Sequence, residues 1–248
     1  MDRVLLVTGG SRGIGAATAR TAAAQGWAVA VNYTHNSLAA DEVVRDIRAA
    51  GGNAITVQAD VADEAQVLAM FEKIDAKLGR LSGLVNNAGV VDVASRVDEM
   101  SLARWQRMFA INVQGTFLCT REAVRRMSTK HGGRGGAIVN ISSVAATLGS
   151  AGQYVDYAAS KAAVDVFTLG LAREVATEGI RVNGIRPGLI DTEIHASGGQ
   201  PDRAHRLAST IPMQRPGTAQ EIANAVVWLL SDASSYATGA MLDVTGGR

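Results

Sequence analysis

Short apolar runs rich in β-branched residues recur along the chain at about 3–8, 27–32, 53–58, 82–86, 136–141, 180–186 and 240–244, and each predicts a strand. The intervals carry helical periodicity, predicting helices over about 13–25, 37–50, 63–78, 101–128, 155–178 and 218–231, with start or stop signals such as Asp63, Ser101 and Gly179. Continuously apolar strands alternating with helices imply an α/β protein: a doubly wound parallel sheet covered on both faces, with right-handed crossovers. No linker, charge block or internal repeat interrupts the alternation, so one domain over 1–248 is expected.

Ligands of such sheets lie beyond the carboxyl ends of the strands, where the strand order reverses. The residues closing each strand are Thr8 with the loop after it, Asn32-Tyr33, Asp60-Val61, the run Asn86 to Gly89, Ser142-Ser143 and Pro187-Gly188. Small, polar and turn-forming, they suit a rim around a polar ligand. The first loop, Gly9-Gly10-Ser11-Arg12-Gly13-Ile14-Gly15, separates a strand from an Ala-rich helical run. Its glycines permit a tight turn and close backbone approach, and the helix start offers free N–H groups and a positive dipole end to a pyrophosphate. The spacing Gly-x-x-x-Gly-x-Gly meets the dinucleotide fingerprint in mechanism, not in letter.

Two competing motifs overlap this loop. Gly9-x-Ser11-x-Gly13 matches the nucleophile elbow of serine hydrolases, but that fold needs an earlier loop for its oxyanion hole, and a single short strand precedes Ser11. A triphosphate-binding P-loop needs Lys after its last glycine, where this chain has Ala16.

A second constellation lies in the helix over 155–178. Tyr157 and Lys161 are four residues apart and share a helix face. A phenol of reference pKa ~10 beside an ammonium should have its pKa drawn toward the working pH, which makes it a proton donor and acceptor.

Composition narrows the classes further. Net charge is +1, with both signs interspersed, so no nucleic-acid or membrane footprint is expected. The single Cys119 excludes an intrachain disulfide and reads as a core residue. His35, His131, His195 and His205 are scattered singly, without metal-ligand spacing. With no apolar run near the ~18 residues of a membrane span and no room for a signal peptide before the first strand, a cytoplasmic protein is expected.

Together, Thr8-Gly-Gly-Ser-Arg-Gly-Ile-Gly15, Asp60-Val61, Asn86-Asn-Ala-Gly89, Asn112, Ser143, Tyr157-x-x-x-Lys161 and Pro187-Gly188 resemble the short-chain dehydrogenase/reductase family along the whole chain. The resemblance implies a Rossmann-type sheet of seven parallel strands in the order 3-2-1-4-5-6-7 and NAD(P)-dependent chemistry at a carbonyl or alcohol carbon. It also implies roles. Tyr157 exchanges the proton with the reacting oxygen, Ser143 hydrogen-bonds that oxygen, Lys161 keeps the tyrosine acidic and binds the nicotinamide ribose, and Asn112 anchors a water linking Lys161 to solvent. Gly9, Ser11, Arg12, Gly13, Ile14 and Gly15 would hold the phosphates, Asp60 and Val61 the adenine, Asn87, Ala88 and Gly89 the adenine ribose, and Pro187, Gly188, Ile190 and Thr192 the nicotinamide side. One departure is visible: Tyr157 follows Ser143 by fourteen positions, one more than in many members, with the extra residue around Gln153 to Asp156. Should the loop shift register, Ser142 would face the site instead.

The second strand ends on Tyr33, where NAD-preferring members carry a carboxylate, and Arg12 stands where NADP-preferring members carry a base; NADP(H) is therefore expected over NAD(H). Donors from His35 and Asn36 would add to this. The turn-rich segment 191–212 is expected to form a substrate lid, and Val91, Val93, Ala145, Tyr154, Ile194 and His195 to line the pocket. The substrate stays open between a 3-oxoacyl thioester on acyl carrier protein, for which Arg125, Arg126, Lys130 and Arg173 would offer a basic patch, and sugars or other carbonyl compounds. A homotetramer through the two long central helices is expected, with a dimer second and Ala158, Ala159, Ala162 and Ala163 permitting close approach. Outside the enzyme class, an NADP-sensing or scaffold protein remains.

Overall fold

The computed structural model describes residues 3–248. In chain order the elements are β1 (Arg3–Val7), α1 (Gly13–Ala24), β2 (Trp27–Tyr33), α2 (Ser37–Ala49), β3 (Ala54–Gln58), α3 (Glu64–Lys77), β4 (Leu81–Asn86), α4 (Leu102–Phe109), α5 (Gly115–Met127), β5 (Gly136–Ile141), α6 (Ala145–Leu148) and α7 (Val155–Val175). There follow β6 (Ile180–Pro187), β7 (Ile190–Asp191), α8 (Ile194–Ser197), α9 (Arg203–Arg206), β8 (Gly217–Thr218), α10 (Ala219–Leu230) and β9 (Met241–Val244). Seven parallel strands form one sheet in the order β3-β2-β1-β4-β5-β6-β9. This is the anticipated seven-strand order, the two-residue β7 and β8 pairing apart from the main sheet.

Strand periodicity explains the layering. Along β1, Leu5 and Val7 point into a core shared with α1, α2 and α10, while Val4 and Leu6 point into a second core shared with α3, α5 and α7. Alternate side chains leave a strand on opposite faces, so a strand buried on both sides must be apolar throughout. Phe71 and Ile74 of α3 are fully buried, and each such side chain contributes about 1.5–3 kcal/mol of burial free energy.

The expected helix over 101–128 is not continuous. α4 and α5 are separated by a π-helical segment, Ala110–Gln114. Its cause is tertiary: Asn112, with no solvent exposure, ties this turn to the loop after β4 and to α7. π segments are rare and concentrate at functional sites. Likewise the helix expected to reach 178 ends at Val175 and tightens to a 3₁₀ turn over Ala176–Glu178, stopped by left-handed Gly179. The lid segment holds two four-residue helices, α8 and α9.

Candidate active site

The carboxyl ends of β1, β4, β5 and β6 converge where the strand order reverses between β1 and β4. Thr8 stitches two of them together: its hydroxyl oxygen accepts from the backbone N–H of Asn87 at 2.9 Å and of Ala88 at 3.0 Å. The Asn87 side-chain amide donates back to the carbonyls of Thr8 and Gly9, at 2.9 and 3.0 Å. Asn32, a polar residue inside an apolar strand, accepts from Gly9 N–H through its side chain at 3.1 Å and from Gly10 N–H through its carbonyl at 2.8 Å. Thr8 and Asn32 thus shape the glycine loop, a role that the motif does not assign them; the signal was polarity at a strand end. Gly15 is compulsory here, because a Cβ would lie 2.3 Å from the Gly9 carbonyl oxygen and 2.6 Å from the Asn87 amide nitrogen. Gly13 opens α1 with φ +51, a left-handed value that suits glycine.

No side chain caps α1 and no acidic residue stands in its first turn. Helix starts normally satisfy their free N–H groups with a side-chain oxygen. An uncapped start behind a glycine loop fits the phosphates of a dinucleotide. Ser11 and Arg12 lie on the same loop and Ile14 in the first turn of α1, with Arg12 exposed and in no ion pair among the described residues. Tyr33 ends β2, half-buried, so no carboxylate closes that strand. Asn36 is partly committed, its side chain capping α2 by accepting from Ala39 N–H at 3.0 Å. Asp60 uses one carboxylate oxygen to accept from Ala62 N–H at 2.9 Å, and Val61 is buried against Gly115. Asn86 turns away from the rim into the interior. Its amide donates to Thr120 Oγ1 and Asn140 Oδ1, and Asn140 in turn donates to Thr168, pinning α5 and α7 to the sheet.

A cavity of about 180 Å³ opens beside the glycine loop, lined by Ser143, Tyr157, Lys161, Asn87, Gly89, Gly188, Ile190 and Thr192 among others. The helical spacing delivers Tyr157 and Lys161 to it together, with the Lys161 ammonium 5.7 Å from the centre of the Tyr157 ring. Lys161 is buried, its Nζ donating to the Ile141 carbonyl at 2.8 Å. Ser143 faces the cavity and its hydroxyl accepts from Ala145 N–H at 3.1 Å, turning the chain into α6. Ser142 also lines the cavity, but its buried hydroxyl is committed to the Lys161 carbonyl, to which it donates at 3.1 Å. Between Ser143 and Tyr157 the chain makes a turn over 149–153, where Gly149, Ser150 and Gly152 adopt positive φ.

Asn112 sits behind the cavity. Its Oδ1 accepts from Val90 N–H at 2.8 Å, and its amide donates to the Val90 carbonyl at 3.1 Å and to Ser160 Oγ at 3.0 Å. Both amide hydrogens are engaged, so the side chain acts first as a clamp joining the π segment, the loop after β4 and α7. Ser160, not among the expected site residues, completes that clamp.

The electrostatics correct one expectation. Burial pushes the Tyr157 phenol above its ordinary pKa, and interaction with the Ser143 side chain offsets this in part. Burial outweighs what the neighbouring ammonium contributes, and Lys161 is itself pushed down to about 8 by burial, opposed by the charge of Asp165. Burial in one dry pocket shifts both groups toward their neutral forms, while Lys161, near 8, still keeps its proton at neutral pH. Cys119, buried in the core, has its thiol pushed up to about 12 by desolvation.

The segment expected as a lid crosses the cavity. A Cβ on Gly13 would meet Thr192 and Glu193 at 3.4 Å, and one on Gly198 would meet Val91 and Asp92 at 3.3 Å. Val91, Ala145, Tyr154, Ile194 and His195 line the cavity; Val93 does not, and is 58% exposed. Among the described residues, no cluster of His, Cys, Asp and Glu is arranged to hold a metal ion, and no helix is long and apolar enough to cross a membrane. Half of the basic patch is spoken for: Arg125 pairs with Glu122, and Arg126 with Glu122 and Asp75.

Residues 9–248 match the family profile described as Enoyl-(Acyl carrier protein) reductase, and with that match the chain belongs to the short-chain dehydrogenase/reductase family. It is an oxidoreductase of the kind that acts on alcohol or carbonyl groups with a nicotinamide cofactor. It is 57% identical over 245 residues to the uncharacterized oxidoreductase YgfF of Escherichia coli (strain K12), covering 99% of each chain. It is also 41% identical over 246 residues to the 3-oxoacyl-[acyl-carrier-protein] reductase of Synechocystis sp., covering 99% of this chain and 96% of the relative. Among solved structures, a dehydrogenase/reductase from Sinorhizobium meliloti 1021 superposes with a TM-score of 0.91 at 35% identity, covering 99% of this chain and 94% of that one.

Proposed function

We propose that the chain is an NADP(H)-dependent oxidoreductase that interconverts a carbonyl and an alcohol, with Tyr157 as the proton donor in reduction and the acceptor in oxidation. The observation that carries this reading is the meeting of Ser143, Tyr157 and Lys161 in one cavity beside an uncapped, glycine-led helix start. Hydride transfer is the chemistry that a bound nicotinamide supplies. The remaining work belongs to side chains. Ser143 and Tyr157 both present hydroxyls to the cavity, so a carbonyl oxygen between them accepts two hydrogen bonds that strengthen as it gains negative charge. The raised pKa of Tyr157 keeps it a phenol at neutral pH, the form that donates a proton to the developing alkoxide. As the phenol becomes phenolate, the neighbouring Lys161 ammonium stabilises the charge left behind. In oxidation the same proton returns from the alcohol to Tyr157.

Asp60, Val61, Asn87, Ala88, Gly89, Pro187 and Gly188 complete the cofactor cleft in this reading, and the segment 191–212 serves as its lid. NADP(H) is favoured because β2 ends on Tyr33 and Arg12 is exposed without an acidic partner. The protein acts as a homotetramer, a reading supported by Phe117 on α5 and Val166 on α7, exposed at 46% and 73%. Ala158 has no part in that face, being 4% exposed within the fold itself.

The test is NADPH oxidation against a panel of ketones, sugars and acyl thioesters, with Tyr157→Phe alongside. Turnover should vanish in the variant while NADPH affinity stays close to wild type. Full activity in Tyr157→Phe would dismiss the proton donor, and silence of the wild type with every substrate, NADPH still binding, would favour the sensing alternative.

A further inference from the structure

The far wall of the same cavity carries a charge that the proton transfer does not use. Arg203 opens α9 and lines the cavity with Ser143 and Tyr157. Its guanidinium carbon lies 5.1 Å from the centre of the Tyr154 ring. Tyr154 is a firm platform, 6% exposed, with its hydroxyl accepting from Gln200 Nε2 at 2.8 Å. The Gln200 carbonyl oxygen accepts from Arg203 Nη1 at 3.5 Å and from Arg206, so the guanidinium is steered by a neutral group.

Of the other charged groups of the lid, Glu193, beside Gly13, enters no ion pair among the described residues, and the rest are paired. Arg206 faces Asp202 at 3.8 Å, and His205 faces Asp191 at 2.9 Å. Among the described residues Arg203 enters no ion pair, and no Asp or Glu lines the cavity. His195, beside Arg203, donates from Nε2 to the Ile190 carbonyl at 2.9 Å and has its pKa lowered by burial, so at neutral pH it adds no charge of its own. A guanidinium stacked on an aromatic face keeps its edge N–H groups available in a planar fork, the geometry that accepts a carboxylate through two parallel hydrogen bonds.

Resting on the reductase reading above, we infer that the substrate is a carbonyl or alcohol compound bearing a carboxylate, and that Arg203 receives this group while Ser143 and Tyr157 hold the reacting oxygen. Arg203 is a specificity-determining residue of the pocket, whose lining also includes Arg248. Thr192 and Glu193 at the start of the lid approach the glycine loop, whereas Arg203 stacks on Tyr154 at the start of α7, and the anion it receives is therefore assigned to the substrate. Tyr154, three residues before Tyr157, links the anion site to the proton donor through the first turn of α7.

The experiment uses the intact enzyme with NADPH and pairs of ring and chain ketones, each supplied as carboxylate and as carboxamide. The carboxylate member should show kcat/KM higher by roughly 10- to 100-fold, the range for a charge-assisted hydrogen bond, and this ratio should collapse to within about threefold in Arg203→Met. NADPH affinity and melting temperature of the variant report whether the lid still folds. Independently of the variant, benzoate should compete with ketone in the wild type and benzamide should not. Equal kcat/KM for acid and amide, or a ratio that survives in Arg203→Met, overturns the anion site and leaves the reductase reading standing. Turnover of sugars or acyl thioesters but of none of these pairs also overturns the anion site, whereas silence with every substrate, NADPH still bound, removes the reductase reading and the inference with it.

Discussion

Loss of one guanidinium, that of Arg104, should loosen the whole catalytic corner. Arg104 on α4 donates through Nε to Asp156 Oδ2 at 2.7 Å and through Nη2 to Oδ1 at 3.2 Å, and its third nitrogen reaches the Val93 carbonyl. The Asp156 side chain has no exposure and that of Arg104 only 11%. Asp156 immediately precedes Tyr157, so this pair joins α4 and the loop after β4 to the turn that carries the proton donor. Arg104→Met keeps the length of the side chain but strands a buried carboxylate, a change worth about 3–5 kcal/mol. For a chain of this size that is a fall in Tm of roughly 10 °C. Removing both charges in Arg104→Met/Asp156→Leu should recover most of it, because desolvation of the pair offsets much of its Coulomb attraction. Thermal and urea unfolding of the single and double variants measure the stability, and kcat measures the alignment of Tyr157. If Arg104→Met melts within about 2 °C of wild type, or if the double variant is no better than the single, the buried pair is not the tie described here.

Three further expectations follow from other corners of the molecule. Lys161, held near pKa 8 against an ordinary 10.5, loses its charge as pH rises through about 8, so activity that depends on the ammonium should fall there; Asp165→Asn removes the charge that raises this pKa, and the fall in the pH profile should move to lower pH. An unchanged inflection rejects that coupling. The unfolded chain keeps this proton up to about 10.5, so the contribution of Lys161 to stability grows from about pH 8 to 10.5, the reverse of a group gaining a partner on folding. Arg12→Ala should weaken NADPH binding by roughly tenfold and leave NADH affinity nearly unchanged, measured by fluorescence titration; equal weakening of both places Arg12 away from the 2′-phosphate. Val166→Lys puts a charge on the exposed apolar face of α7 and should lower the mass seen by light scattering from that of a tetramer; a wild type that is already monomeric removes the assembly proposal.

Much of the site was legible along the chain because its parts obey local rules. Tyr157 and Lys161 share a helix face by spacing alone, and Ser143 and the residues around Asn87 are found by asking which residues end each strand. The glycine loop announces itself through residues that nothing larger can replace, as Gly15 does against the Gly9 carbonyl. The π segment over Ala110–Gln114 left no such mark. Its extra backbone turn is imposed by Asn112 reaching Val90 and Ser160, 22 and 48 positions away, and helical propensity does not report partners at that distance.

What the order of residues decided by itself was the alternation of strand and helix, the double-sided burial of the sheet and the rim to which its strands point. These follow from side-chain period and backbone preference, which act between neighbours. The tertiary structure alone decided the pairing of Arg104 with Asp156, the seat of Arg203 over Tyr154 and the raised pKa of Tyr157. Those depend on groups brought together from 49 or 52 positions apart and on the water that folding removes from between them, and neither quantity is carried by the local pattern.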